Sequence, residues 1–320
     1  MSDTINEIIK KAKEKSGWIV LPEANQDVRV LDATKQILSQ GICDIIVLGK
    51  PSEFPAELKN NPHCKIVEID NVLTEQFAKE FQEMRKFRGY EIEFEDAKKT
   101  VSNPIYFAMM MLHDNMASGV VAGAKESTAN VLRPALQIIR AKQGKSTVTG
   151  SMILTKGNKT FLFGDVSLVQ FPNEQQLCEI AISNAEFMKN VLSTEPRVAL
   201  LSYSTKGSAK SDSITMIQKA TELAQHSKYQ IDGEMQVDSA LDRATALHKG
   251  VSSSVGGNAN VLIFPDLNAG NIGYKLVARL AGYKAIGPVM LNFNKPVNDL
   301  SRGCTAEEIL LTVCITKLQA

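Results

Sequence analysis

The stretch WIVLPEANQDVRVLDATKQILSQGICDIIVLG, residues 18–49, decides the fold class. Its first segment, Trp18–Leu21, is apolar and ends at Pro22, which predicts a short buried strand. From Asp27 to Gln40 the apolar residues recur at helical spacing, which predicts a helix. A second apolar run, Asp44–Gly49, predicts the next strand. Together they predict a strand–helix–strand unit, the building block of parallel sheets.

The same alternation continues to the end of the chain. Further strands are predicted near 120–123, 198–202, 260–264 and 285–290, and helices near 212–226, 236–248, 269–281 and 305–318. A turn at 156–159 joins two apolar segments and predicts a local antiparallel pair. We therefore expect an α/β protein with mostly parallel sheets covered by helices. Ligands of such sheets bind in loops beyond the carboxyl ends of strands.

Composition excludes several classes of protein. The chain has 320 residues with 36 Lys+Arg against 35 Asp+Glu, and this balance argues against nucleic-acid binding, which needs surplus cations. Its longest apolar stretch, Tyr106–Leu112, is far shorter than the roughly 20 residues that span a membrane. Residues 1–15 lack the apolar segment of a signal peptide. We therefore expect a cytoplasmic protein with neither nucleic-acid nor membrane partners.

Common cofactor motifs are also missing. The five cysteines form no CxxC or Cys/His pairing, so neither a disulfide framework nor a zinc site is predicted. Gly144–Ser146 looks like the end of a P-loop, but Ile139 stands where that motif needs glycine. No GxGxxG follows a predicted strand, which disfavours a nicotinamide enzyme.

Three polar loops are candidate binding sites. They are Ser202–Lys210, Ala124–Pro134 and Asn294–Cys304. The first carries hydroxyls, two cations and a glycine, all suited to phosphate oxygens, although a solvated loop has the same composition. The second carries Ser127, Thr128 and Arg133, and Ser127 is equally suited to cap a helix. The third combines two cations with a carboxylate and a hydroxyl.

Longer stretches are more informative than these motifs: Val131–Ile139, Ser204–Lys210, Asp232–Glu234, Asn260–Lys275, Ile286–Pro288 and Lys295–Cys304. Together they resemble the phosphate acetyltransferase (phosphotransacetylase) family over essentially the whole chain. The KPVNDLSRGC stretch is similar to the acetyl rather than the butyryl branch. The resemblance implies interconversion of acetyl-CoA plus phosphate with acetyl phosphate plus CoA, by direct transfer in a ternary complex.

The resemblance also implies an architecture. Two α/β domains like those of isocitrate and isopropylmalate dehydrogenases would enclose an active-site cleft, usually in a homodimer. We expect the first domain at 1–145 plus 288–320 and the second at 146–287. Coenzyme A and phosphate would be substrates, and the family's chemistry requires no metal or prosthetic group.

Site residues follow from the same resemblance. It implies that Ser301, Arg302, Arg133 and Arg85 line the active site, with Arg88 as the alternative to Arg85. Further candidates for substrate binding are Ser127, Thr128, Lys206 and Lys210, the two lysines for coenzyme A.

The family's catalytic base is an aspartate, and this chain has Glu308 at that position. The extra methylene moves the carboxylate outward by about 1.5 Å, enough to weaken a positioned catalyst. Thr305–Glu308 also fits a capping box, in which Glu308 bonds to the backbone of Thr305. Glu308 is therefore a base, a helix cap or both, and Asp299 is the next candidate base.

Three further departures leave functional alternatives open. Leu291-Asn292 stands where the family commonly has Gln-Gly, which puts phosphate binding there in doubt. Lys125-Glu126 replaces Val-His at the rim, and Cys304 is expected to pack rather than act as a nucleophile. The alternatives to an acetyltransferase are a relative with a longer acyl substrate and a non-catalytic module that senses acetyl-CoA.

Overall fold

A computed structural model describes residues 3–320, and the chain forms two compact units. The terminal unit contains Glu7–Lys142 and Phe293–Ala320, and the central unit contains Gln143–Asn292 together with residues 3–6. Compact units are not by themselves independently folding domains. The domain bounds 1–145 plus 288–320 and 146–287 therefore stay predictions.

Five strands of the terminal unit form an all-parallel sheet. They are β1 (Trp18–Leu21), β2 (Asp44–Leu48), β3 (Cys64–Val67), β4 (Gly119–Ala122) and β11 (Val297–Asp299), in the order β11-β4-β1-β2-β3. The helices of residues 3–142 and 293–320 are α1 (Asp3–Glu14), α2 (Val28–Ser39), α3 (Ala56–Lys59), α4 (Asn71–Phe87), α5 (Phe94–Val101), α6 (Pro104–His113), α7 (Thr128–Pro134) and α13 (Ala306–Gln319).

The opening stretch folds as predicted. β1 and β2 pair in parallel, and α2 connects them. Asp27 caps α2 by accepting a hydrogen bond from the backbone N–H of Arg29 at 2.9 Å. The interpretation of Asn294–Cys304 as a loop is wrong at β11, because Val297–Asp299 is a buried strand paired with β4.

Six strands of the central unit form a mixed sheet. They are β5 (Thr149–Lys156), β6 (Lys159–Gly164), β7 (Arg197–Leu201), β8 (Gln230–Met235), β9 (Val261–Ile263) and β10 (Lys284–Leu291), in the order β10-β5-β6-β9-β7-β8. The β5–β6 pair is antiparallel, which confirms the predicted local antiparallel pair. The β10–β5 pair is antiparallel as well, and the other pairs are parallel. The helices are α8 (Glu174–Asn190), α9 (Asp212–Ala224), α10 (Val237–Leu241), α11 (Arg243–His248) and α12 (Leu267–Leu280).

Two details of the central unit differ from the sequence prediction. The helix expected at 236–248 is divided into α10 and α11, because Asp242 caps the second helix through the N–H of Thr245 at 2.7 Å. The strand β8 was not predicted, since its sequence QIDGEM contains glycine and two carboxylates, which are poor strand formers. Both sheets flanked by helices nevertheless confirm the predicted α/β class.

The longest apolar stretch of the sequence lies inside the terminal unit. It forms most of α6, where Phe107, Met109, Met110 and Leu112 have no exposed surface. The Phe107 ring packs edge to face on Phe77 of α4, with centroids 5.0 Å apart. Within residues 3–320 every helix is too short or too polar to cross a membrane.

Candidate active site

One buried carboxylate holds the loop after β4. Glu23, which follows β1 and is 3% exposed, accepts hydrogen bonds from four successive backbone N–H groups. Its Oε2 accepts from Gly123 at 2.7 Å and Ala124 at 3.0 Å, and its Oε1 accepts from Lys125 at 2.9 Å and Glu126 at 3.1 Å. These bonds compensate the buried charge, so the loop is fixed to the end of β1.

The Arg29 side chain joins this loop to the segment after β11. Its Nη2 donates to the carbonyl of Ala124 at 2.8 Å, and its Nη1 donates to the carbonyls of Arg302 at 2.8 Å and Cys304 at 2.9 Å. Asp27 holds the guanidinium, and the hydrogen bonds between them raise the pKa of Arg29 and lower that of Asp27. One side chain therefore sets the spacing of two predicted site loops.

Helix α7 begins with two predicted substrate-binding residues. Ser127 Oγ accepts a hydrogen bond from the N–H of Asn130 at 3.3 Å, which confirms the interpretation of Ser127 as a helix cap. The neighbouring Thr128 Oγ1 donates to Asp299 Oδ2 at 2.6 Å. Thr128 is thus tied to the end of β11, directly before Ser301.

Asp299 is a buried carboxyl group, 1% exposed. Its Oδ1 has no hydrogen-bond partner within the described residues. Burial raises the pKa of Asp299 to about 7; the nearby charge of Glu23 adds to the rise, and the hydrogen bond from Thr128 and the backbone N–H of Leu300 oppose it. Asp299 therefore titrates near neutral pH while it contacts a predicted substrate-binding residue.

Substitution of Gly123 tests how tightly this corner is packed. Gly123→Ala is expected to lower the free energy of unfolding by about 3 kcal/mol. The backbone φ of +108° strains a side chain, and the added Cβ would lie 2.3 Å from Asp299 Oδ1 and 2.9 Å from the backbone N of Leu300. Chemical denaturation measures the loss. Gly144→Ala is the control, because φ is +78° but no atom lies within 4 Å; equal losses would contradict the packing argument.

The segment after β11 carries Ser301 and Arg302, both exposed. A hydrogen bond from the N–H of Cys304 to the carbonyl of Ser301, at 2.9 Å, closes a tight turn. The Arg302 guanidinium makes no hydrogen bond or ion pair within residues 3–320, so it is available to an anion. Cys304 is buried, and burial raises the pKa of its thiol to about 11, which suits packing rather than nucleophilic attack.

The predicted capping box is present at the start of α13. Thr305 Oγ1 accepts from the N–H of Glu308 at 3.2 Å, and Glu308 Oε2 accepts from the N–H of Thr305 at 2.7 Å. The other carboxylate oxygen, Oε1, makes no hydrogen bond to any part of the chain that the structure describes. The cap is confirmed, and the role as a base stays a prediction that Oε1 leaves open.

Two predicted arginines lie near one tyrosine. Burial raises the pKa of Tyr106, and the positive charges of Arg133 and Arg85 oppose that rise. Tyr106 donates its hydroxyl to Gln137 Oε1 at 2.9 Å. The alternative residue, Arg88, donates instead to the backbone carbonyl of Gln137. The structure therefore commits Arg88 to the backbone and brings Arg85 and Arg133 to the same neighbourhood.

A cavity of about 400 Å³ opens beside Arg133. Its lining is Lys99, Thr100, Asn103, Ile105, Tyr106, Glu126, Asn130, Arg133 and Pro134. The one carboxylate, Glu126, already accepts a hydrogen bond from Asn130 at 2.8 Å. Two cations and several donors remain, a combination suited to an anionic ligand.

The predicted lysines lie in the central unit, in the loop between β7 and α9. Lys206 donates to Asp232 and, at 2.7 Å, to the carbonyl of Gly233. Lys210 is exposed, and its ammonium has no partner within the described residues. The buried carboxylate of Glu234 accepts further bonds from the same loop, one from a backbone N–H at 2.7 Å. The loop is therefore tied to β8, and Lys210 is the lysine with donors to spare.

The departure at Asn292 is accommodated locally. Asn292 adopts a φ of +70°, a conformation that asparagine reaches more readily than most residues. Its Nδ2 donates to the carbonyl of Thr147 at 2.8 Å and to Ser183 Oγ at 2.9 Å. The amide donors are thus used within the central unit.

Residues 3–320 contain one group with the spacing of metal ligands. Glu80, His113 and Asp114 offer ligand atoms that all lie within 4.8 Å of one another. His113 Nδ1 and Asp114 Oδ1 are 2.8 Å apart, and the three residues are exposed or half-buried. Exposed groups often gather in this way without an ion, so the expected absence of a metal stays a prediction.

The comparisons with known proteins agree over the full length. The sequence profile of one family, described as phosphate acetyl/butaryl transferase, matches residues 3–317. A phosphate acetyltransferase from Thermoanaerobacterium thermosaccharolyticum is 42% identical over 327 residues, covering 99% of each chain. A crystal structure of a phosphotransacetylase from Streptococcus pyogenes has a TM-score of 0.91 and 35% identity, covering 100% of this chain and 99% of that one.

A more distant likeness concerns the fold alone. The 4-hydroxythreonine-4-phosphate dehydrogenase from Klebsiella pneumoniae has a TM-score of 0.56 at 11% identity, covering 96% of this chain and 98% of that chain. This likeness supports the predicted dehydrogenase-like α/β fold and carries nothing about chemistry.

Proposed function

Because the chain belongs to the phosphate acetyl/butaryl transferase family, we propose that it interconverts acetyl-CoA plus phosphate with acetyl phosphate plus CoA. The observation that carries the proposal is the 42% identity to a phosphate acetyltransferase over 99% of both chains. The same matches make the protein a transferase enzyme. Coenzyme A is then a substrate and not a resident cofactor.

The reaction requires three kinds of group. In the direction of thioester formation, the thiol of CoA must lose its proton, because the thiolate is the nucleophile and a free thiol titrates near pH ~8.5. The sulfur attacks the carbonyl carbon of acetyl phosphate, and negative charge develops on the carbonyl oxygen. Phosphate then leaves with the electron pair of the broken C–O bond. A base, donors for the developing oxyanion and cations for the phosphate are needed.

The terminal unit offers each of these groups. We assign proton removal to Glu308 through its free Oε1, and stabilisation of the oxyanion to Ser301 and Arg302. Arg85 and Arg133 supply positive charge for the phosphate groups. Direct transfer in a ternary complex is supported by Cys304, whose buried thiol has a raised pKa and is a poor acceptor of the acetyl group. The chemistry needs no metal.

Two other functions stay open as alternatives. A relative that prefers a longer acyl chain would have the same groups, with a pocket that gains about 1 to 3 kcal/mol per added methylene. A non-catalytic module that senses acetyl-CoA would bind the thioester without turnover. Glu308 in place of aspartate is the one feature that favours this module, and the intact Ser301-Arg302 pair argues against it.

The deciding experiment follows thioester formation from acetyl phosphate and CoA by ultraviolet absorbance, in the presence of a chelator. We expect turnover, and a lower kcat/KM with butyryl phosphate. A preference for butyryl phosphate would identify the longer-chain relative. A folded protein that binds acetyl-CoA in calorimetry without turnover would identify the sensing module. Activity only without the chelator would contradict metal-free chemistry.

We also propose that the protein is a homodimer, on the basis of an apolar stripe on α12. Ile272, Leu276 and Leu280 recur at every fourth residue and are 57%, 52% and 81% exposed. Within α12 only Gly270 is buried. A continuous apolar stripe of this kind on a helix marks an interaction surface more often than it faces water.

Substitution within the stripe tests the homodimer. Leu276→Glu is expected to convert a dimer to a monomer, because two charges would be buried at a symmetric contact. Light scattering coupled to gel filtration measures the mass. Leu247→Glu, at a residue 60% exposed on α11, is the matched control. A wild-type monomer, or a dimer that survives Leu276→Glu, would remove this surface from consideration.

We place the protein in the cytoplasm. The proposal is supported by its five cysteines, all of them free thiols, since oxidising compartments favour disulfide formation.

A further inference from the structure

The contact between Thr128 and Asp299 joins an exposed hydroxyl group to a buried carboxyl group. The two oxygen atoms are 2.6 Å apart, and the carboxyl group is almost fully buried while the threonine is exposed. Asp299 Oδ1 has no partner within the described residues and lies where a side chain on Gly123 would meet it. The Asp299 carboxyl group is therefore inaccessible to solvent, whereas Thr128 is exposed to it.

The protonation of Asp299 decides what Thr128 can offer to a ligand. When Asp299 is ionised, it can only accept, so the single hydroxyl hydrogen of Thr128 is used inside the protein. When Asp299 is neutral, its own O–H can donate to Thr128 Oγ1. The hydroxyl hydrogen of Thr128 is then free to donate outward. Because Oδ1 lacks a donor, the ionised form leaves charge on an unsolvated atom.

We propose that Asp299 is a positioning residue that binds a proton when an anionic substrate binds, and thereby turns the Thr128 hydroxyl toward the phosphate oxygens. The ligand class is a tetrahedral oxyanion, either inorganic phosphate or the phosphate group of acetyl phosphate. This inference rests on the proposed function, because it concerns the same site.

The charged groups around Asp299 are compatible with proton binding by this residue. Glu23 is the charged neighbour that acts on Asp299, and its own oxygens are engaged by four backbone N–H groups. Arg29, on the flanking segment, is engaged by Asp27 and three carbonyls and donates nothing to Asp299. Burial and Glu23 raise the pKa of Asp299 to about 7, so proton uptake can occur in the physiological range.

The proposal predicts a specific dependence on pH. Above pH 7 Asp299 is ionised in the protein without ligand, so binding of the anion must be accompanied by uptake of a proton at Asp299. The apparent KM for phosphate should then rise by up to about tenfold for each pH unit. Asp299→Asn keeps the shape and can donate permanently from Nδ2 to Thr128. It should have a KM that lacks this rise.

The first experiment measures KM for phosphate at pH 6 to 9 in wild type and Asp299→Asn. The ratio of the two values cancels the ionisation of phosphate itself. We expect the ratio of wild type to variant to increase by at least about tenfold across this range. A ratio that stays constant would overturn the proposal, even if Asp299→Asn lowers kcat, because a purely structural role would act equally at every pH.

Thr128→Val provides a second variant if Asp299→Asn does not fold. It removes the hydroxyl and keeps the branched shape, so KM should be about tenfold higher at pH 6 and lack the Asp299-dependent rise. Thr34→Val is the control, because it deletes a buried hydroxyl that donates to the carbonyl of Val30 at 2.8 Å, far from the pair in sequence. It should retain the wild-type pH dependence. Thr128→Val with that same dependence would refute the proposal.

A binding measurement separates this inference from the proposed function. Sulfate does not titrate between pH 6 and 9, so calorimetry in buffers of different ionisation enthalpy reports protons taken up by the protein alone. We expect about one proton per sulfate at pH 8 in wild type and none in Asp299→Asn. This result would stand even if the thioester assay showed no turnover. Sulfate binding without proton uptake would reject the proposal, whatever the activity.

Discussion

Glu308→Gln is expected to lower kcat by about 10² to 10⁴-fold and to change the free energy of unfolding by less than about 0.5 kcal/mol. Glutamine at the third position of a helix also forms a capping box, so the bond to the N–H of Thr305, now 2.7 Å long, is preserved. The amide cannot remove the proton of the thiol. This one substitution therefore separates the observed helix cap from the proposed catalytic base.

Two further variants complete the series. Glu308→Ala should lose the activity and about 1 kcal/mol of stability, because cap and base disappear together. Glu308→Asp places the family's carboxylate at this position and should retain most of the activity. If Glu308→Gln keeps the wild-type kcat while Glu308→Ala is merely less stable, the residue is only a cap. The base would then have to be sought at Asp299.

Arg302→Gln is expected to lower kcat by about 10² to 10³-fold, which is the effect of removing one preorganised donor to a developing oxyanion. Stability should change little, because the guanidinium has no partner within residues 3–320. The structural contact of this residue is its backbone carbonyl, which accepts from Arg29 at 2.8 Å and is kept in the variant. Steady-state kinetics and thermal denaturation measure the two quantities.

Arg302→Lys and Lys10→Gln serve as controls for charge. Lysine keeps the positive charge and loses the planar pair of donors, so partial recovery of kcat relative to Arg302→Gln is expected. Lys10→Gln removes one exposed cation from α1 and should leave kcat unchanged. If Arg302→Gln lowered only the affinity for phosphate and not kcat, Arg302 would bind the ground state and the oxyanion would be stabilised by other groups.

Elements with strong local patterns could be predicted from the sequence. The strands β1 and β2 and the helix between them have apolar runs and a helical repeat within 32 residues, and the β5–β6 pair has its own turn. The capping box at Thr305 could also be predicted, because the capping residue and its partner are three residues apart. Where the determinant is local, periodicity and capping residues are sufficient.

The missing elements depend on distant partners. β11 is only three residues long, and both β8 and β11 contain carboxylates. They are strands because β7 and β4 pair with them through backbone hydrogen bonds. Glu23 is 100 residues from Gly123, and Arg29 is 273 residues from Arg302. No spacing rule joins such pairs. The one available signal was the position of Glu23 directly after a buried strand, where parallel sheets gather functional groups.

The resemblance to the family identified candidate site residues, but it did not show which of their cationic groups are already hydrogen-bonded within the chain. Lys206 and Lys210 look alike in the sequence, yet only Lys210 has an unengaged ammonium. Arg85 and Arg88 are one turn apart, and only Arg88 is committed to a backbone carbonyl. Which cation is available depends on packing between elements, so it became visible only in the folded chain.

The carboxylate of Glu23 occupies the anion-binding position that the backbone N–H groups of the loop after β4 form. Four converging N–H groups at a strand end form the kind of nest that binds phosphate in other α/β proteins. Here the chain supplies the anion itself, at 2.7 to 3.1 Å. These four N–H groups are therefore not available to a substrate, and an anion bound near this loop would have to be held by side chains. Under the proposed function those side chains are Arg133 and Arg302, joined by Thr128 when Asp299 is protonated.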